Sequence, residues 1–340
     1  MFVLRVISLL LIIACPLRSL AGVAPTPGTE DVKALFDTAD LVCSCSVVSV
    51  RPNGSEWIQS EGSRVLLRHK VASISALQRY KGASSTNVFD VEFDGDLLST
   101  KENAILFLKS IAPSVYVVTD PFVGSTPFSV LPPPQGEGIA GLEGALARLA
   151  QNTNRDDKLN AMRLLEGFPP LSSQTMSIIS SNSTSSDPDV AYTAFAVLLK
   201  TGEGEYVKGL RNYVRAHPTD NAPVSILSIG SELARIRDDT AISSLQELSG
   251  SRLLSLRIGA MQSLRAIRSR AAAPAIVKRL DDSDGYVRYL AVMTLAETFG
   301  KYGNYAPNMG LFDRNPDLYV GLWKSWWEQE RRLAITGLTQ

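Results

Sequence analysis

The chain has 340 residues, 45% of them hydrophobic, and its 34 acidic side chains balance 34 basic ones. A formal net charge of zero gives no strong positive field over one surface, which leaves nucleic acid out of the expected partners. The length and apolar content suffice for two separate cores.

Residues 1–21 carry Arg5, an apolar run from Val6 to Ala14, the helix breaker Pro16 and the small residues of Ser19-Leu20-Ala21. This order reads as a secretory signal peptide cleaved after Ala21. Its apolar run is too short for a stable transmembrane helix. A competing reading takes Ile12-Ile13-Ala14-Cys15 as a lipoprotein box with Cys15 carrying a lipid anchor, against which stands Pro16 immediately after the cysteine. No second long apolar run follows, so the expected mature chain is soluble, without a transmembrane segment, and secreted or periplasmic.

Residues 30–130 have the period of a β-domain. A short helix over 29–37 precedes five expected strands at Leu41–Val50, Arg64–Ala76, Val88–Phe93, Ala104–Leu108 and Val115–Val118, separated by Gly, Ser, Asn and Asp. They predict an antiparallel sheet or small barrel. Cys43 and Cys45 fall on one side of the first strand, where they read as small core residues, because neighbours at this spacing do not favour bridging each other.

This part resembles the OB-like barrel of tissue inhibitors of metalloproteinases and netrin-type modules. The resemblance rests on Ala39-Asp40-Leu41-Val42 opening the first strand, Tyr80-Lys81-Gly82 ending a strand, and Asn103-Ala104-Ile105-Leu106-Phe107-Leu108 entering another. In those inhibitors a Cys-x-Cys at the free mature N-terminus blocks a protease zinc through its amine. Cys43-Ser44-Cys45 lies inside a strand, so that role does not transfer.

Leu131-Pro132-Pro133-Pro134 breaks both regular structures, and residues 131–138 are the expected linker. From 139 to 300 the period is helical. SLRIGAMQSLRAIRS and GYVRYLAVMTLAETFG repeat one pattern, with Arg257, Ala260 and Leu264 each 31 positions before Arg288, Ala291 and Leu295. Weaker copies align on Ala161, Ala194 and Ile229, at steps of 33, 35, 31 and 31, so about five helix pairs are expected to stack. Val287, Leu290, Ala291, Thr294, Leu295 and Thr298 lie on one stripe that must be buried.

These residues resemble the HEAT repeats, particularly the short variety also found in bilin lyases, through the D-x-x-x-R of Asp284 and Arg288, the preceding Val287, and Ala291 followed by Leu295. In that family the Asp and Arg form hydrogen bonds between successive turns. The resemblance gives this ladder role to Asp284, Arg288 and the equivalent Arg257, with Leu253 in place of the first Asp. Residues 301–340 form an expected aromatic C-terminal cap, in which Trp323, Trp326 and Trp327 either plug the last stack or offer a partner-binding patch.

The fold class is thus a small antiparallel OB-like β-barrel followed by an α-helical HEAT-like solenoid. The sequence contains no Walker A loop, H-E-x-x-H, G-x-S-x-G, C-x-x-C or dinucleotide glycine fingerprint. His69 and His217 are its two histidines, one in each part, and Asp281, Asp282 and Asp284 precede a helix they can cap, so no metal or cofactor is expected. The expected function is a non-enzymatic scaffold that binds a protein partner. The alternatives are a lyase related to the HEAT-repeat bilin lyases and a protease-inhibitor-like module in the barrel.

Overall fold

The structure is a computed structural model that describes residues 32–60, 63–83, 86–95, 97–119, 125–131, 136–168, 170–218 and 226–335. The expected signal peptide, Cys15 and Pro132-Pro133-Pro134 lie outside the described residues. The chain divides into two compact units, residues 1–169 and 170–340.

The first unit opens with helix α1 (Val32–Thr38), followed by β1 (Leu41–Ser60), β2 (Ser63–Lys81), β3 (Val88–Asp94), β4 (Asn103–Ala112), β5 (Val115–Val118) and β6 (Ser125–Phe128). Five strands close into a barrel in the order β1-β2-β3-β5-β4, because β4 pairs back onto β1 from Leu41↔Leu108 to Ser46↔Asn103. All its pairings are antiparallel except that of β3 with β5. The short β6 extends the sheet along β4. The architecture fits an OB-like barrel.

Alternation decides what fills it. Leu41, Cys43, Cys45 and Val47 from β1 meet Ala72, Ile74, Phe89, Val91, Phe93, Ala104, Leu106 and Leu108 inside. Tyr116 closes edge-on against Phe89 at 5.0 Å. Two large apolar side chains escape the pattern. Val48 and Leu77 are the unpaired residues at register shifts between Val47 and Ser49 and opposite Ser44/Cys45, and both are exposed.

The outward side of the wall is also apolar. Val42, Ile105 and Phe107 alternate with the interior residues yet are fully buried. Three helices pack on the strands, α1 against β4, α2 (Gly138–Leu149) against β2 and α3 (Arg155–Glu166) against β6. Lys81 donates to the carbonyls of Phe36 and Asp37 at 2.7 Å, capping the C-terminus of α1. The next residue, Gly82 at φ +85°, passes so close to Asp40 that a Cβ there would sit 2.2 Å from its carbonyl oxygen. Buried Asp157 of α3 accepts from the Ser129 N–H at 2.6 Å, the Ser129 hydroxyl at 2.5 Å and Asn152 at 3.0 Å. These bonds fasten α3 to the chain leaving β6. The compact division falls at 169/170, after this helix pair.

The second unit contains α4 (Ser173–Asn182), α5 (Pro188–Leu199), α6 (Gly204–Ala216), α7 (Ile226–Leu233), α8 (Ile242–Leu248), α9 (Leu254–Ile267), α10 (Ala273–Lys278), α11 (Gly285–Phe299), α12 (Met309–Arg314) and α13 (Pro316–Ile335). Polar caps set the starts: Ser172, Asp187, Asp284 and Asn308 each accept from N–H groups in the first turn, and Pro188 follows Asp187 at N1. Left-handed residues set two ends, Arg268 after α9 and Gly300 after α11. The helices stack in two rows. One runs α5, α7, α9, α11, α13 and the other α6, α8, α10, each helix touching the next in its row.

Ala194, Ile229, Ala260 and Ala291 lie in successive helices of the first row, and all are fully buried, as is Ala161 in α3. The closest approach uses the residue just before Ala260. A Cβ on Gly259 of α9 would lie 2.3 Å from the carbonyl oxygen of Gly230 in α7. One turn on, the hydroxyl of buried Ser263 lies 2.5 and 2.9 Å from the carbonyl oxygens of Leu233 and Ile236, which share its one proton.

Candidate functional site

Carboxylates shared by two arginines connect successive turns of the stack. Glu247 of α8 binds Arg211, at 3.1 Å, and Arg215 of α6. Asp282, before α11, takes Arg257 of α9 at 3.1 Å and Arg279 at 3.5 Å. Glu297 of α11 takes Arg265 of α9 and Arg268 just after that helix. Asp238 makes a related tie through a backbone donor, its carboxylate accepting from the Gly204 N–H of α6 at 2.7 Å. Hydrogen bonds from the Thr240 side chain, and then from the Thr240 and Gly204 backbone, hold the Asp238 carboxyl below its ordinary range.

The residues expected to form the ladder divide their roles differently. Asp284 uses its carboxylate as the N-cap of α11, accepting from Tyr286 and Val287 at 3.0 Å. Arg288 donates to the carbonyls of Asp282 and Ser283, closing the same turn. Arg257 does reach the following turn, but its acceptor there is Asp282. Asp282 falls two residues before the position that the family pattern singles out, and nothing in its spacing marks it.

The tryptophans do not form a presented patch. Trp323 is fully buried and donates its indole N–H to the Tyr305 carbonyl at 2.9 Å. Trp326 is 8% exposed, packs against Phe299 of α11 at 4.7 Å and meets Trp323 edge-on at 5.2 Å. The Lys301 ammonium lies over the Trp326 and Tyr305 rings. These rings cover the apolar end of the stack, and of the three only Trp327 remains half-buried.

A different aromatic surface is available beside them. Tyr286 and Tyr289 of α11 stack at 6.2 Å, Tyr289 continues to Phe312 of α12 at 5.5 Å, and Phe312 to Tyr319 of α13 at 6.2 Å. Gln262 of α9 donates to the Tyr286 hydroxyl at 3.4 Å. Arg265, whose guanidinium is held charged first by its hydrogen bond to Glu297, stands next to both tyrosines. Burial pushes the Tyr289 hydroxyl up, so it stays a neutral donor. Tyr286, Tyr289 and Tyr319 are half-buried, each with an apolar ring and a polar tip. Sequence reasoning passed over the first two because they sit beside the buried stripe of α11 and not on it.

Cys43 and Cys45 are free thiols buried inside the barrel, and the Cys45 thiol is pushed well up, first by its hydrogen bond with Cys43 and then by burial. His217 ends α6, stacked on Tyr213 at 4.3 Å. A cleft of about 690 Å³ at the end of β2 is lined by Arg79, Tyr80, Lys81, Asn87, Gly136 and Glu137. Among the described residues no three His, Cys, Asp or Glu side chains are placed to hold a metal ion, and no helix is long and apolar enough to cross a membrane.

The molecule is therefore a closed five-stranded β-barrel followed by a helical region, with an aromatic and arginine-bearing surface on the latter. No protein-family model matches the chain, and no curated protein matches it. Among solved structures it is similar to an engineered protein determined by a structural-genomics consortium, with 21% identity, a TM-score of 0.34, and coverage of 47% of this chain and 80% of that one. That overlap is too slight to define a shared fold.

Proposed function

We propose that the chain is a non-enzymatic, extracytoplasmic protein-interaction scaffold whose helical region is a HEAT-type solenoid. One observation carries the reading: stacked helices keep equivalent small positions buried while leaving Gln262, Arg265, Tyr286 and Tyr289 together and half-exposed across α9 and α11. Tyr and Arg are the side chains that dominate interface hot spots, since they combine apolar area with directed polar groups. The surface belongs to no repeated catalytic motif, and its polar groups are committed to one another. In this reading the barrel is a second docking module. The inhibitor alternative needs a Cys-x-Cys at a free amine, whereas Cys43 and Cys45 point into the barrel from within β1.

The test places a photo-crosslinking amino acid at position 286, and in a second protein at position 208 of α6, in the organism's own extracytoplasmic fraction. Discrete protein adducts from 286, suppressed by Tyr289→Ala, support the reading. Absence of any adduct from 286, or identical adducts from 208, removes the proposed surface. Export has its own check. N-terminal sequencing should find Gly22 first; a lipidated Cys15 would replace the soluble form by a lipoprotein, and an intact Met1 would end the extracytoplasmic reading.

A further inference from the structure

The strands β1 and β2 outrun the barrel. Pairing of β4 with β1 stops at Ser46, and that of β3 with β2 at His69, so from Ser55↔Arg68 to Ser60↔Ser63 the two strands pair with each other as a ribbon. The ladder shifts register between Pro52 and Ser55, at Asn53-Gly54, with Gly54 at φ +102°. The ribbon thus leaves the barrel at a weak point in its own ladder. A two-stranded ribbon is marginal in water without a further strand or face to support it.

His69 sits at that exit. It is opposite Asp94, the last residue of β3, and its Nδ1 is 2.7 Å from Asp94 Oδ1. Its Nε2 lies 3.6 Å from Glu56 Oε1, on the ribbon side of the shift in β1. One ring therefore touches a carboxylate of the barrel rim and a carboxylate of the ribbon. An ionised carboxylate only accepts, and a neutral imidazole has one N–H, so only the doubly protonated ring can satisfy both neighbours.

The charges facing this ring can be read from the alternation of the three strands. On its face β1 places Arg51 and Glu56, and β3 places Asp90, Glu92 and Asp94, while Arg68 and Lys70 of β2 alternate to the other face. Arg51 is engaged by Asp90 at 2.7 Å. The protonated ring is then the positive group between Glu56 and Asp94.

We propose that His69 is a pH-sensitive latch that holds the β1–β2 ribbon to the barrel rim when its imidazole is protonated and releases it at the Glu56 contact when the ring is neutral. Imidazole is the side chain whose ordinary titration falls between pH 5 and 8. The short Asp94 contact keeps the remaining N–H, so the longer Glu56 contact is the one that opens. Ribbon order is greatest while the ring carries both protons and is lost when it gives one up on the alkaline side. The ribbon carries Trp57, 60% exposed, and the latch thereby sets how firmly that ring is presented.

Hydrogen exchange of the full chain, read by mass spectrometry at pH 5.5 and 8.0 and normalised for intrinsic exchange, tests this. Peptides covering residues 53–58 and 66–70 should be about two- to fivefold better protected at pH 5.5, the range for partly exposed ion pairs. A peptide from 104–108 in β4 should show no such difference. Glu56→Gln should abolish the pH difference, because its amide can donate to a bare ring nitrogen or accept from a protonated one. His69→Gln should abolish it as well. No pH difference in the parent chain, or one that persists in Glu56→Gln and His69→Gln, overturns the proposal.

Discussion

Adding one methyl group to Gly259 separates the effect of helix propensity from that of helix contact. Alanine in place of an unconstrained helical glycine stabilises by roughly 1 kcal/mol. At Gly259 the new Cβ would lie 2.3 Å from the Gly230 carbonyl oxygen and 3.1 Å from its carbon, and these are backbone atoms that cannot rotate away. Relief requires α7 and α9 to part by about an ångström, which loosens the seam that Ser263 and Ala260 complete. Overpacking of this kind costs about 1–3 kcal/mol or somewhat more. The contact term therefore outweighs the propensity gain, and Gly259→Ala should destabilise by about 1–2 kcal/mol. Gly321 in α13 is the control, since its Cβ would meet nothing within 4 Å, and Gly321→Ala should stabilise by about 0.5–1 kcal/mol. Urea denaturation of the full chain, followed by circular dichroism at the helical band, reads both. If the two alanines move the midpoint in the same direction, the close α7–α9 approach is wrong.

Asp157→Ala leaves the Ser129 N–H and hydroxyl without their acceptor in a buried place, and should cost about 1–3 kcal/mol in the same denaturation experiment. The Asp238 carboxyl is held low in the folded chain, so the unfolded chain binds its proton first on acidification; its contribution is present above the ordinary carboxylate range and is lost as the pH falls through the folded value. Asp238→Asn should accordingly flatten the acid limb of a plot of thermal midpoint against pH. Burial, and next the neighbouring Tyr213, push the Tyr192 hydroxyl up to about 12, so stability is complete below the usual tyrosine range near pH 10 and falls as the pH rises toward 12. Its hydroxyl is buried without a hydrogen-bond partner, and Tyr192→Phe should lose little or no stability at pH 7 and remove part of that alkaline fall.

The barrel was legible where alternation was clean. All five expected strands begin within a residue of where they lie, and Cys43 and Cys45 point inward together. The outer half of β1 was not, since Pro52-Asn53-Gly54 carries turn chemistry, yet the ladder continues past it through a register shift. Ser125-Thr126-Pro127-Phe128 is too short and proline-broken to announce β6, which exists because β4 offers it an edge. In the helical region the small positions were visible as a period, while the glycine that sets the closest approach stood one residue away from them. A pattern records which stripe is buried; it does not record which atom on that stripe touches backbone. The tryptophans illustrate the same limit, for their spacing fits both a cap and a patch, and only burial of Trp323 separates the two.

The sharing of one carboxylate between two arginines at Glu247, Asp282 and Glu297 makes the two sides of each bridge unequal under mutation. Loss of either arginine leaves its twin to neutralise the acid. Loss of the acid strands two like charges side by side, and at Asp282, where the carboxylate is 4% exposed, water does little to screen them. Genetic drift in this chain should therefore move freely through its arginines one at a time while its bridging acids stay fixed. The joints between turns would endure in descendants whose basic residues no longer align.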